Sequence, residues 1–377
     1  MFRARTEDLR MGTTRSEFRS ILIFGGAGFI GSNWTERLLK TTEAKVHLFD
    51  NLSRQGARHN LEYLQKVAGR TGRLQITVGD VRDASMVSRV VKYATEIYNF
   101  AAQVAVTTSL IEPRLDFDVN LGGTFNILEA ARQHGQDPYV LFTSTNKVYG
   151  SAGDQRVHIE GKRYVSSNSK GTDESQPLDF HSPYGCSKGA ADQYVRDYAR
   201  IYGLRSVVFR MSCIAGPRQF GSEDQGWVAH FLYSALQGKA ITIYGDGRQV
   251  RDVLSVEDLL CAFESAYANR EKTAGQIYNM GGGQENTISL LELMERIEAF
   301  TGVRMGCNFG GARAGDQLIY VTNHDKFSQA AAWQPQVNLE GILKGIHKWY
   351  KSNRELFVPS RAERLEAALL TPARRVA

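Results

Sequence analysis

The stretch that most restricts the fold is Ser20-Ile21-Leu22-Ile23-Phe24, followed at once by Gly25-Gly26-Ala27-Gly28-Phe29-Ile30-Gly31. The apolar run has the length and content of a strand buried on both faces of a parallel sheet. Ser32 to Lys40 then takes up helical spacing. Strand, glycine turn and helix in that order are the context of a dinucleotide-binding turn. The glycines are spaced G-x-x-G-x-x-G instead of the commoner G-x-G-x-x-G. They allow a tight turn, close approach of a pyrophosphate and packing of helix on strand. The helix N-terminus then faces the phosphates. The alternative is a plain glycine-rich turn with no ligand.

The next segments extend the pattern. Lys45 to Phe49 reads as a strand ending at Asp50, about twenty residues past the glycines, where a carboxylate would accept hydrogen bonds from ribose hydroxyls. It would also repel a 2′-phosphate, favouring NAD over NADP, although Arg54 in the loop Asn51-Leu52-Ser53-Arg54 would suit such a phosphate. Gln75 to Val78 leads to Asp80-Val81, where Asp80 either reaches the adenine amino group or caps the next helix. A strand around Ile97 to Phe100 runs into Ala101-Ala102-Gln103, small enough at first to let a cofactor approach the backbone. Asp118 to Arg132 reads as one amphipathic helix, with Asn120 near its start as a backbone clamp. Tyr139 to Phe142 makes a fifth strand, continuing into Thr143-Ser144-Thr145-Asn146-Lys147. Strands alternating with helices predict an α/β fold, a Rossmann doubly wound parallel sheet with ligands at the carboxyl ends of its strands. The cofactor candidates on this route are Gly25, Gly28, Phe29, Ile30, Gly31, Asp50, Asn51, Ser53, Arg54, Asp80, Val81, Ala101, Ala102, Gln103, Asn120 and Thr143.

The chemistry is read at His181-Ser182-Pro183-Tyr184-Gly185-Cys186-Ser187-Lys188. On a helix, Tyr184 and Lys188 are i and i+4 neighbours on one face. A phenol with an ordinary pKa near 10 is a poor base at neutral pH. A nearby ammonium favours the phenolate, and an oxidised nicotinamide would act in the same direction. Tyr184 would then take a proton from an alcohol while hydride leaves the same carbon, with Thr145 hydrogen-bonded to the substrate oxygen. Taken alone, a Tyr-x-x-x-Lys spacing is weak, since a chain with 16 Tyr shows roughly one by accident.

Residues 151–180 are polar and rich in Gly and Ser, without a clear helix or strand, and read as a flap near the substrate. The helix Pro183 to Tyr202 and a strand Ser206 to Arg210 follow. Beyond Ser212 the pattern loosens into a smaller mixed α/β region. It holds Gly216-Pro217-Arg218-Gln219, a helix near Val228 to Leu236, a strand Ile241 to Tyr244, and helices near Ser289 to Phe300 and Leu339 to Lys351. Arg251 and Arg313 each stand among small or turn residues, as phosphate contacts or as surface decoration. The expected division is a disordered tail at 1–18, a dinucleotide domain at 19–211 with 248–280 returning to it, a substrate domain at 212–247 and 281–356, and a tail at 357–377.

The totals exclude other classes. A net charge of +6 comes from scattered basic residues, with no lysine-arginine block of the kind that binds nucleic acid. The four cysteines lie far apart with no Cys-x-x-Cys pair, so neither a metal site nor a disulfide framework is indicated, which suits a reducing cytoplasm. No apolar run is long enough to span a bilayer.

Jointly, Gly25-x-x-Gly28-x-x-Gly31, Asp50, Asp80, Thr145, Tyr184-x-x-x-Lys188, Arg251-Asp252 and Arg313-x-Gly315-Asp316 resemble the extended short-chain dehydrogenase/reductase family, in its nucleotide-sugar epimerases and dehydratases. The resemblance covers residues 20 to 355. It implies a tightly held NAD, catalysis by Thr145, Tyr184 and Lys188, and Arg251 and Arg313 on the diphosphate. It also implies a homodimer or tetramer through helices 115–133 and 183–202. Substrate contacts fall on Thr145, Asn146, Lys147, Ser212, Gln219, Gln225, Gly226, Trp227, Tyr244, Arg251, Arg313 and Asp316. The family's 4,6-dehydratases carry Thr-Asp-Glu where this chain has Thr145-Asn146-Lys147. An amide and an ammonium cannot do the work of that acid and base, so dehydration is disfavoured. The segments 144–150, 178–194 and 224–227 are most similar to the epimerases that invert C2 of a CDP-hexose. The alternatives are epimerisation of another nucleotide sugar, such as a UDP-sugar at C4, and a non-catalytic NAD-binding regulator.

Overall fold

The structure, a computed structural model, describes residues 19–134, 137–151, 156–313 and 315–357. The expected tails therefore lie outside the described residues, apart from Phe357, which packs on Tyr233 with ring centroids 4.6 Å apart.

Ile21, Leu22, Ile23 and Phe24 are all buried to within 1% of complete, as a strand covered on both faces requires. Seven parallel strands form the central sheet, in the order Ile277–Met280, Ser206–Met211, Tyr139–Thr145, Glu96–Asn99, Ser20–Phe24, Lys45–Asp50 and Leu74–Val78. The sheet grows outward in both directions from Ser20–Phe24, so the crevice where the order reverses lies at the glycine turn. The α/β Rossmann expectation is borne out.

Strand alternation feeds two apolar layers. Ile21 and Ile23 face a cluster with Trp34 and Leu38 of the helix Phe29–Thr41 and Phe263 of the helix Val256–Ala268. Phe327, Ala331 and Trp333, from a stretch expected with the second region, pack into this same cluster. Leu22 and Phe24 face a second cluster with Ile127, Leu128, Ala191 and Val195. A third cluster, around Phe231, Leu232, Ile243, Leu293, Ile297, Ile342 and Ile346, is the core of the smaller region. There Val250–Ser255 pairs with Cys213–Ala215, Thr287–Ser289 and Ile319–Tyr320.

Two expectations about elements fail. The single helix Asp118 to Arg132 is instead two pieces, a π turn Asp118–Gly122 and the helix Gly123–His134, with a short helix Pro113–Phe117 before them. Gly122-Gly123 supplies little helix preference at that point. A Cβ at Gly123 would also lie 2.5 Å from Val81, so the helix must sit close. The segment 151–180 is not without structure: Val157–Glu160 and Arg163–Ser166 form an antiparallel hairpin about Gly161, whose φ is +57°. The hairpin docks on the smaller region through Arg163 to Glu292, Tyr164 to Asp246 (2.9 Å) and Ser289 to the Lys162 carbonyl (2.7 Å). Its short alternating strands are hard to see among Gly and Ser, and partners far along the chain make them stable.

Candidate active site

The glycine turn is shaped by close approach. Gly25 has φ +73°, and a Cβ there would lie 2.8 Å from the backbone of Phe100 and Ala101. A Cβ on Gly31 would lie 2.2 Å from the Gly25 carbonyl oxygen and 2.7 Å from the Gly26 Cα. These contacts are with backbone, which cannot give way, so the groove is a cradle that side chains would fill. That fits a dinucleotide. Gly31→Ala is expected to destroy retention of the dinucleotide, read as nucleotide released on unfolding the purified protein.

Asp50 closes the turn, its Oδ2 accepting from the Ala27 N–H (3.0 Å) and its Oδ1 from the Leu52 N–H (2.7 Å). Burial raises its pKa, and these hydrogen bonds oppose the rise. Asp80 is not a helix cap; Asp83 is, accepting from the Met86 N–H. Asp80 instead takes two hydrogen bonds from the Arg82 guanidinium and one from Asn51 (3.2 Å), which hold its pKa down at about 2. Ser53 donates to Asn51 (2.7 Å), and Arg54 is exposed nearby. Asn120 grips the Gln103 backbone from both sides, accepting from its N–H (2.9 Å) and donating to its carbonyl (3.0 Å). Phe29 and Ile30 open the first helix, and Val81 packs under Gly123.

Tyr184, Thr145 and Lys188 come together at the carboxyl end of the strand Tyr139–Thr145. Ser182 caps the helix Pro183–Tyr202 by accepting from the Gly185 N–H (3.0 Å), which sets Tyr184 in the first turn. Tyr184 is buried beside Thr145. Lys188, 3% exposed, donates to the Thr143 carbonyl (2.6 Å) and lies 4.1 Å above the Phe142 ring. The electrostatics correct the sequence expectation. Burial pushes Tyr184 up to about 12; neighbouring Thr145 opposes this, and the Asp116 charge adds to it. Burial likewise pulls Lys188 down to about 7, against the Asp192 and Asp116 charges. The Lys188 ammonium does not offset burial at the phenol. In the chain by itself Tyr184 is protonated at neutral pH.

A second group lies beside Thr145. Arg251 and Lys147 both donate to Asp316 Oδ1 (2.7 and 3.2 Å), and Asn146 donates to Gln317 (3.2 Å). Burial would raise the Asp316 carboxyl, but the Arg251 and Lys147 charges hold it below its ordinary value. Lys147 is pulled down by burial and by Arg251. Two cations sharing one carboxylate leave positive charge facing the cleft. Arg313 stacks 3.9 Å over Tyr244, whose hydroxyl donates to Glu223 (2.6 Å). Trp227 Nε1 donates to Cys213 Sγ (3.2 Å). Gly226, at φ +78°, packs on Gln219, whose Oε1 is buried without a partner among the described residues, while Gln225 bridges Ser222. Ser212 is bound to Asp252 (2.6 Å), so it ties the large sheet to the smaller region.

Sequence reading passed over Asp116, Ser187, Cys213 and Gln317. Gln317 donates to the Gly150 carbonyl (2.6 Å) while accepting from Asn146, across a separation that no local pattern signals. Asp116 had a faint signal, standing one turn before Asn120. No cluster of three or more metal-ligating side chains occurs among the described residues.

The sequence model of the GDP-mannose 4,6 dehydratase family matches residues 22–346. The chain belongs to that family. This bears out the resemblance to extended short-chain dehydrogenases/reductases. Among curated relatives in the family, the chain is 42% identical over 340 residues to CDP-paratose 2-epimerase of Salmonella typhi, covering 88% of this chain and 99% of that one. It is 32% identical to UDP-glucose 4-epimerase of Mycolicibacterium smegmatis, over 86% of this chain and 96% of the other. Among solved structures, the UDP-glucose 4-epimerase of Thermus thermophilus in complex with NAD is 31% identical, with TM-score 0.74 over 89% of this chain and 99% of that one. A dTDP-glucose 4,6-dehydratase from Streptomyces venezuelae with NAD bound is 29% identical, with TM-score 0.76 over 89% and 98%.

Proposed function

We propose that this chain is an NAD-dependent epimerase of a nucleotide diphosphate sugar, a CDP-hexose, inverting C2. The observation that carries the reading is buried Tyr184 set beside Thr145 on the sheet's carboxyl edge, with Asn146 and Lys147 as the next two residues. That arrangement serves one carbinol and supplies no second acid-base pair. Its likeness to CDP-paratose 2-epimerase over nearly the full length supports the same choice.

Bound NAD would supply the hydride acceptor for the carbinol carbon and the hydride donor for the opposite face of the ketone. The cradle of Gly25, Gly28 and Gly31 would hold its pyrophosphate, Asp50 its ribose, and Asp80 its adenine. Tyr184 takes the hydroxyl proton and gives it back, while Thr145 holds the same oxygen. Since Tyr184 is protonated in the free chain, it becomes a base only with further positive charge beside it. Lys188 and Thr143 fix the floor of the site. Arg251 and Arg313 hold the diphosphate, Lys147 and Asp316 set the sugar, and Gln219, Trp227 and Tyr244 line the approach. Residues 19–211 and 248–280 serve the cofactor, and the smaller region serves the sugar nucleotide.

The exposed faces of two neighbouring helical segments support self-association. Phe117, Phe125, Tyr194, Ile201 and Tyr202 are each more than two-fifths exposed on 113–134 and 183–202, apolar surface that a second copy would cover. We place the enzyme in the cytoplasm, which suits four free cysteines.

A C4 ketone would acidify only C3 and C5, so oxidation at C2 is the simpler route. The test incubates the enzyme with CDP-sugar in deuterated water. The product should carry no solvent deuterium at C2, and deuterium there would sink the hydride route. A panel of CDP-, UDP-, dTDP- and GDP-sugars read by product NMR decides the base and the carbon.

A further inference from the structure

We propose that Asp116 is a positioning residue, the buried counter-charge for the face that carries Tyr184 and Lys188. The proposal rests on the reading of that face as the proton-transfer site. Asp116 is completely buried. It accepts hydrogen bonds from Ser187, from Gln103 Nε2 (2.9 Å) and from Asn120 Nδ2 (3.1 Å). Ser187 stands three residues after Tyr184 and one before Lys188, so the carboxylate is bonded to the helix between the two. Asn120 also donates to Ser187 (3.1 Å), closing a ring of three side chains, Asp116, Asn120 and Ser187.

The charges around the face explain why a carboxylate belongs there. On the helix Pro183–Tyr202, the Asp192 charge also favours the Lys188 ammonium, but both of its oxygens are held by the Arg210 guanidinium (2.7 and 2.9 Å). Arg114 and Asp118, on Asp116's own side, pair with each other at the surface. Gln103, Asn120 and Ser187 are neutral. Asp116 is therefore the carboxylate without a cationic hydrogen-bond partner that faces Lys188. Its charge favours the buried ammonium and opposes the phenolate. It keeps Lys188 protonated where burial would strip the proton, and keeps Tyr184 a phenol until positive charge is added. A purely structural acceptor at this place could be neutral.

Asp116→Asn separates the two roles. The amide oxygen can still accept from Gln103 and Asn120, and the amide nitrogen can donate to Ser187. The titration of Lys188 is followed in the whole protein by carbon-13 NMR of labelled lysine, assigned with Lys188→Met. The wild-type ammonium should titrate near 7, and in Asp116→Asn the midpoint should fall by about one unit, because a neighbouring negative charge is gone. Ser187→Ala, which keeps the charge, should move it far less. An unchanged midpoint in folded Asp116→Asn overturns the proposal. If that variant does not fold, labelled aspartate in the wild type reads Asp116 directly, assigned by its displacement in Ser187→Ala. An ionised carboxylate at neutral pH supports the proposal, and a protonated one overturns it. None of these readings needs a substrate, so they stand apart from the epimerase assay. In that assay the pH profile of kcat should move to lower pH in Asp116→Asn.

Discussion

Tyr184→Phe should lower kcat by about 10²- to 10⁴-fold while leaving KM and thermal stability near wild type. The phenol is the group at the Thr145 end of the strand with a proton to exchange, and its place in the first turn of a capped helix keeps its oxygen aimed at one point. Deleting that oxygen removes the acid-base group but not the ring, which remains as packing in a buried site. The loss corresponds to about 3 to 5 kcal/mol of transition-state stabilisation. Because Tyr184 is pushed up to about 12 by burial in the free chain, activity that depends on its proton should appear only with the dinucleotide in place. The measurement is single-turnover and steady-state epimerisation by the wild type and Tyr184→Phe, both checked for retained dinucleotide. A variant that turns over near the wild-type rate would remove Tyr184 from the chemistry. A variant that loses the dinucleotide as well would show that the phenol acts through binding.

Arg210→Met should cost about 3 to 5 kcal/mol of stability, the largest loss expected from one side chain outside the glycine turn. Asp192 is fully buried and its partner nearly so, and the guanidinium also donates to Tyr149 (2.9 Å), which in turn donates to Asn279 (2.7 Å). Methionine leaves the carboxylate charged in a dry place without its guanidinium, the Gln193 amide (2.8 Å) still donating to it. The double variant Arg210→Met with Asp192→Leu removes both charges and should recover most of the loss, because desolvating an ion pair offsets much of its attraction. Thermal unfolding of the two variants decides it. If the double variant is as damaged as the single, packing and the Tyr149 contact matter more than charge. The consequence for function is direct, since Tyr184, Lys188 and Asp192 follow one another at four-residue intervals on one face of the same helix.

What the sequence determined by itself was whatever depends on neighbours along the chain. Ser20 to Gly31 could only be a buried strand running into a glycine turn, because apolar content and missing side chains act locally. The spacing of Tyr184 and Lys188 likewise follows from helix periodicity. Tertiary structure decided the electrostatics and the partners. The Tyr184 phenol is raised, not lowered, because burial and the Asp116 charge outweigh the opposing effect of Thr145. Asp316 serves Lys147 and Arg251 at once because the sheet brings together segments far apart in sequence. The hairpin 157–166 exists because Glu292, Asp246 and Ser289 receive it. Asp116 gained its place in the site when folding set it under Ser187. Solvation and long-range contact are properties of the assembled interior, and no spacing along a chain records them.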